Sequence, residues 1–60
     1  MRRRELLAAR KALGLSQTAF GKALGLHQQT VHKYESGELP VPRAVELAVL
    51  WLLEHAPQKD

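Results

Sequence analysis

Apolar residues fall along the chain in four blocks, each at helical rather than strand spacing. In the first, Leu6, Ala9, Arg10 and Leu13 stand at i, i+3, i+4 and i+7, which lines one face of a helix. That spacing predicts a helix from about Arg3 to Leu13, with Gly14 suited to a left-handed exit. In the second block Ala19, Phe20, Ala23 and Leu24 form the stripe, Ser16 supplies an N-cap and Gly25 closes the helix. In the third, Leu26, Val31 and Tyr34 anchor only one side of a helix from about His27 to Ser36, and Gly37 ends it. "ELPVP" reads as an extended link, because the residues before Pro40 and Pro42 avoid helical angles. Pro42 suits the first turn of a fourth helix running to about His55, with Pro57 as its stop. No period-two alternation, β-branched run, internal repeat or low-complexity linker interrupts this pattern. The expected fold is all-α: a compact bundle of four helices, or five if the last one divides.

The second joint is tight. Within "LGLH" only about three residues reverse the chain between helices 2 and 3, which holds the two at a steep angle and brings their backbones close. Gly21 lies inside helix 2, where glycine costs roughly 1 kcal/mol against alanine. The expected compensation is steric: only a residue without a side chain lets helix 3 cross there.

The fourth helix, "PRAVELAVLWLLEHA", is more apolar than a surface helix needs. At about 100° per residue, Ala44, Val45, Ala48, Trp51 and Leu52 share one side and are expected to fill the core. Val49, Leu50 and Leu53 then face the other way, flanked by Glu46 and Glu54. An exposed apolar patch of this kind marks an interface. A two-fold homodimer is the expected use, adding the buried area that a chain of this length lacks; coverage by the neighbouring loop and N-terminal arm is the alternative.

Charge changes the picture by its distribution. The net charge is +3, but residues 1–37 carry +5 and residues 38–60 carry −2. A basic half favours a polyanionic partner, as a weak signal taken alone. At 60 residues the chain is one domain. It has no cysteine, hence no disulfide framework or thiolate metal cage. His27, His32 and His55 offer neither an i, i+4 pair nor zinc-ligand spacing. No metal or other cofactor is expected. Nothing resembles a nucleophile–base arrangement, phosphate loop or catalytic carboxylate pair, so an enzyme is not expected. Arg2, Arg3 and Arg4 precede an apolar run that Arg10 and Lys11 break at once, so neither signal peptide nor spanning segment is read. A cytoplasmic protein with no membrane contact is expected.

The stretch "LSQTAFGKALGLHQQTVHKYESGELP" resembles the helix-turn-helix of the Cro/lambda-repressor (XRE) family. Gln17 opens helix 2 after its serine cap, Gly21 takes the small-residue position, Gly25 the turn, Val31 the buried β-branched position, and "YESG" the exit of helix 3. The resemblance spans about Glu5 to Leu53. It departs from the family in having Gly21 where alanine is commoner, His27 where Ser or Thr usually caps, and one long fourth helix where many relatives have two short ones. It implies a single domain over 1–60, with a basic arm at 1–4, the helix-turn-helix at about 16–36 and a C-terminal helix at about 42–55.

The resemblance also implies double-stranded DNA as partner, with helix 3 in the major groove. Gln28 and Gln29 at its start become the base readers, since a glutamine amide pairs bidentately with the edge of adenine. Lys33 is placed to reach a guanine edge or a phosphate. Gln17, Thr18, His27 and His32 are expected at the DNA backbone, while Lys22 and Lys11 either touch it too or are solvated. Arg43 is expected either near the DNA at the operator centre or paired with Glu46 or Glu54. Arg10 and Glu35 are expected to form a partly buried salt bridge, with a direct Arg10–phosphate contact as the lesser alternative. Arg2, Arg3 and Arg4 form either a mobile basic arm along the DNA or a disordered start. The function implied is a dimeric repressor of phage or mobile-element type, occupying a palindromic operator. The alternative is an antitoxin-type module whose fourth helix binds a partner protein.

Overall fold

The computed structural model describes residues 1–55 and arranges them as four helices: α1 (Arg3–Ala12), α2 (Gln17–Leu24), α3 (Gln28–Ser36) and α4 (Arg43–His55). Among the described residues there is no strand and no fifth helix. Pro57, expected to stop α4, lies outside them. Leu13 and His27 serve as caps rather than helical residues, a one-residue difference at ends that fray. No helix is long and apolar enough to cross a membrane, and no described group of His, Asp or Glu could hold a metal ion.

The core draws one or two residues from each helix. Leu6, Phe20 and Val49 are completely buried, and Ala9, Val31 and Tyr34 complete the cluster. Leu13, Leu15, Leu24, Leu26, Val45 and Leu52 pack around it. α3 lies against α1 and α2, and α4 closes the far side against the same two helices. Burying a side chain of the size of Leu or Phe stabilises by roughly 1.5–3 kcal/mol, so these few residues dominate a core of this size.

Helix α4 is rotated from the sequence expectation. Val49, expected at an interface, is completely buried, whereas Trp51, expected in the core, is 59% exposed. Ala44 is exposed too, and Val45, Ala48 and Leu52 remain half-buried as expected. The inward stripe is therefore Val45, Ala48, Val49 and Leu52. A core built on six buried residues accepts a valine at its centre more readily than an indole, and tryptophan is seldom fully buried. The rotation leaves Leu47, Leu50, Trp51 and Leu53 at the surface. The N-terminal arm and the α3–α4 link do not cover them.

The N-terminal arginines are ordered into structure rather than forming an arm. α1 already begins at Arg3, and the N–H of Arg2 donates to Glu5 Oε1 at 2.9 Å. Arg3 lies across Gly37 and donates from Nη1 to the carbonyl of Ser36 at 2.9 Å. Its charge thereby sits at the negative end of α3. On α4, Arg43 Nη1 donates to Glu46 Oε1 at 3.1 Å, and the Met1 amino group reaches the same oxygen at 3.4 Å. The Arg43 hydrogen bond, ahead of the Met1 contacts, holds the Glu46 carboxyl below its ordinary value.

Gly21 answers to a closer neighbour than the crossing helix as a whole. A Cβ there would stand 2.7 Å from the carbonyl oxygen of Leu26 and 3.5 Å from the amide nitrogen of Gln28. The obstacle is backbone of the turn, so it cannot swing aside. Alanine would gain about 1 kcal/mol in helix propensity and lose about 1–3 kcal/mol to overpacking. We expect Gly21→Ala to lower stability by about 1 kcal/mol in urea denaturation. A more stable variant would show that the turn yields freely.

Candidate nucleic-acid interface

The turn between α2 and α3 is built by hydrogen bonds that leave little slack. Gly25 is left-handed, at φ 73°, and its N–H turns back to the carbonyls of Gly21 and Lys22. A side chain would be strained at that φ. The Leu26 N–H donates to the carbonyl of Gly21 at 2.7 Å. α3 then starts after His27, whose Nδ1 accepts the N–H of Gln29 at 3.2 Å. The histidine standing where Ser or Thr is usual in the family is thus itself an N-cap, one ring nitrogen being committed within the protein.

Beyond that cap α3 presents a single polar face. Gln28, Gln29, His32 and Lys33 are all exposed, while Val31 and Tyr34 turn inward. Gln28 with His32, and Gln29 with Lys33, are i, i+4 pairs and so lie side by side. The amides of Gln28 and Gln29 make no hydrogen bond to any described residue, so both donors and acceptors are open to a ligand. Glutamine amides present a paired donor and acceptor matched to adenine, and lysine a donor matched to guanine or phosphate.

The start of α2 supplies anion-binding capacity of a more general kind. Ser16 Oγ accepts the N–H of Ala19 at 3.1 Å and caps the helix. The N–H groups of Gln17 and Thr18 lie in the first turn, where a helix leaves its donors without intrahelical partners. Such an end attracts phosphate. Thr18 and the exposed Lys22 are one turn apart on the same side. Gln17 differs from the sequence expectation: its Nε2 donates to Glu35 Oε1 at 3.0 Å. Its side chain is therefore tied inward, leaving its backbone N–H as the group free for a phosphate.

That bond joins Gln17 to the ion pair expected between α1 and α3. Arg10 Nε lies 2.7 Å from Glu35 Oε2 and its Nη2 lies 3.2 Å from Oε1, a bidentate contact. Arg10 Nη1 also donates to the carbonyl of Leu15 at 3.0 Å. The Arg10 and Glu35 side chains are 16% and 7% exposed. One carboxylate thus fastens α1, the loop after it, the head of α2 and the tail of α3. Each nitrogen of its guanidinium is engaged within the protein, the structural arrangement expected of Arg10. Nothing in the sequence pattern marked Gln17 as a member of this network.

Of the remaining cations, Arg43 takes the Glu46 alternative of its sequence reading, although its side chain stays 73% exposed. Lys11 is exposed without a described partner. The structure therefore exposes one polar surface on α3, and the Gln17–Glu35 bond sets the head of α2 beside the tail of that helix. It ties Gln17's amide inward.

Comparison with curated proteins and with solved structures gives no match. A helix-turn-helix family model matches residues 6–60, nearly the whole chain. The tight glycine turn, the polar face of α3 and this match agree, and the chain belongs to the Cro/lambda-repressor-like (XRE) helix-turn-helix family of DNA-binding transcription regulators.

Proposed function

We propose that the chain acts as a homodimeric, sequence-specific repressor in the cytoplasm of a bacterium or phage-infected cell. Each α3 enters the major groove of one half of a palindromic operator. Gln28 and Gln29 read base edges, and Lys33 reads guanine or binds phosphate. Thr18, Lys22, His32 and the backbone N–H of Gln17 hold the DNA backbone; such contacts fix position without reading sequence. The observation that carries this reading is the exposed α3 face, whose two glutamine amides have no described partner. Repression is by occupancy of the operator, and regulation of its own operon fits that mode. No enzymatic role is proposed. Selection of bound sequences from a random duplex pool tests the reading. A palindrome with half-sites about 34 Å apart supports it, and failure to enrich any sequence overturns it.

The second copy is proposed to seat on α4. Leu47, Leu50 and Trp51 follow one another at helical spacing along its outer side and are 46–59% exposed, with Leu53 beside them. Val49 takes no part, being buried. A charge placed in such an interface would have to be desolvated on association. We expect Leu50→Glu to convert the dimer to a monomer by light scattering and to weaken operator binding, while the helical circular dichroism is retained. An unchanged mass would move the interface elsewhere. The same stripe also suits a partner protein of antitoxin type, which co-purification of a heterocomplex sensitive to Leu50→Glu would favour.

A further inference from the structure

We infer that His27 is a positioning residue for the base-reading face, and that its neutral imidazole couples DNA binding to pH. The inference rests on the DNA reading proposed above. Nδ1 of His27 accepts the N–H of Gln29 at 3.2 Å. An imidazole nitrogen accepts only through a free lone pair, so the capping ring is neutral and carries its proton on Nε2. An imidazolium has no acceptor and cannot cap.

The capped N–H belongs to a base reader, and Gln28 and Gln29 are the first two residues of α3. Fraying of that turn displaces both amides at once. The turn before it is pinned as well. The Leu26 N–H is held at 2.7 Å by the carbonyl of Gly21, and Gly21 itself has no room for a Cβ against Leu26. The side chain at position 27 is the available cap.

The charged and titratable side chains around the cap are few. The ring sits at the N-terminal end of α3. Packed against this end, α2 contributes Lys22, and α3 contributes His32 and Lys33, all cationic or able to become so. On α3 the acidic side chain is Glu35, bound by Arg10 and Gln17. The charged groups of α1 near α3 are that same Arg10 and Arg3, which caps the opposite end. No described ion pair involves His27. Stability from the cap is present while the ring is neutral and is lost once Nδ1 is protonated, so acid removes it. Loss of an N-cap changes a helix-end equilibrium by roughly two- to thirtyfold, and a dimer feels it in both half-sites. A DNA phosphate near the ring would pull the other way by favouring the imidazolium.

The test compares the intact chain with His27→Asn, whose side chain caps without titrating, and with His27→Ala, which does not cap. Affinity for the selected duplex is measured across about pH 5–8, and the Gln29 amide is followed by NMR in the DNA-free protein. His32 and His55 are common to all three proteins, so differences between them report His27. We expect the wild-type affinity to fall severalfold on acidification while the Gln29 amide loses protection over the same range. His27→Asn should bind more tightly than His27→Ala and lose the extra pH step; His27→Ala should be weaker throughout. The inference is overturned if His27→Asn keeps the full wild-type step, if His27→Ala binds like wild type, or if acidification tightens binding through His27. A protein that binds the duplex without any such step overturns this inference alone, whereas one that binds no duplex overturns the DNA reading with it.

Discussion

Glu35→Ala is expected to destabilise the fold by about 3 kcal/mol, the lower end for breaking a buried ion pair. For a domain of this length total stability is roughly 3–9 kcal/mol, so the variant stands at the edge of unfolding. The cost comes mainly from what is left behind. With Glu35 gone, the Arg10 guanidinium, 16% exposed, keeps its desolvation and retains only the Leu15 carbonyl as an acceptor. Gln17 Nε2 loses its partner as well. Arg10→Ala should be about as damaging, because Glu35, 7% exposed, is then left with Gln17 alone. Replacing both by apolar residues, as in Arg10→Met with Glu35→Leu, removes charge and partner together and should recover most of the loss. Gln17→Ala removes a single hydrogen bond and should cost about 1 kcal/mol. Urea denaturation of the four variants ranks these losses. A loss below about 1 kcal/mol for Glu35→Ala would place this pair among solvated surface ion pairs, with no part in holding α3.

What the sequence made legible and what it left hidden divide on physical lines. The helix exits were legible because glycine alone adopts the left-handed conformation cheaply, and Gly25 and Gly37 have φ of 73° and 85°. The exposed face of α3 was legible because its apolar residues are too few to hide more than one side. The Arg10–Glu35 geometry followed from resemblance and not from spacing, since the two residues are far apart in the chain. The facing of α4 was not legible. Its apolar residues cover so much of the circumference that periodicity bounds the stripe without saying which part meets the core. Leu6, Phe20 and Val31 decide that from the other side, by leaving a space that Val49 fills and Trp51 does not. The inward bond of Gln17 and the Arg3 contact to Ser36 were hidden for a related reason. Each depends on where two separate helices end in space, which no local pattern encodes.

Removing both proposed base readers is the change that should separate recognition from attachment most sharply. Gln28 and Gln29 are exposed and without described side-chain partners, and alanine suits a helix at least as well as glutamine. Substitution should therefore leave stability within about 0.5 kcal/mol. The cap survives, because the group that His27 holds is the backbone N–H of Gln29 and not its amide. Against the selected duplex, each bidentate contact discriminates by roughly 1–3 kcal/mol. Gln28→Ala or Gln29→Ala in both half-sites should then weaken binding by roughly 2–6 kcal/mol, and together they should approach the affinity for random DNA. Random DNA itself should be bound almost as before, since that binding draws on phosphates. Lys22→Ala is the complementary variant: if this lysine neutralises a phosphate, it weakens both duplexes alike and reduces the salt slope by about 0.9 per contact. Titrations of the selected and random duplexes at several salt concentrations distinguish the two behaviours. Normal, sequence-selective binding by the Gln28→Ala/Gln29→Ala protein would mean that the groove is read by another surface, because no other role of these two amides could hide their loss.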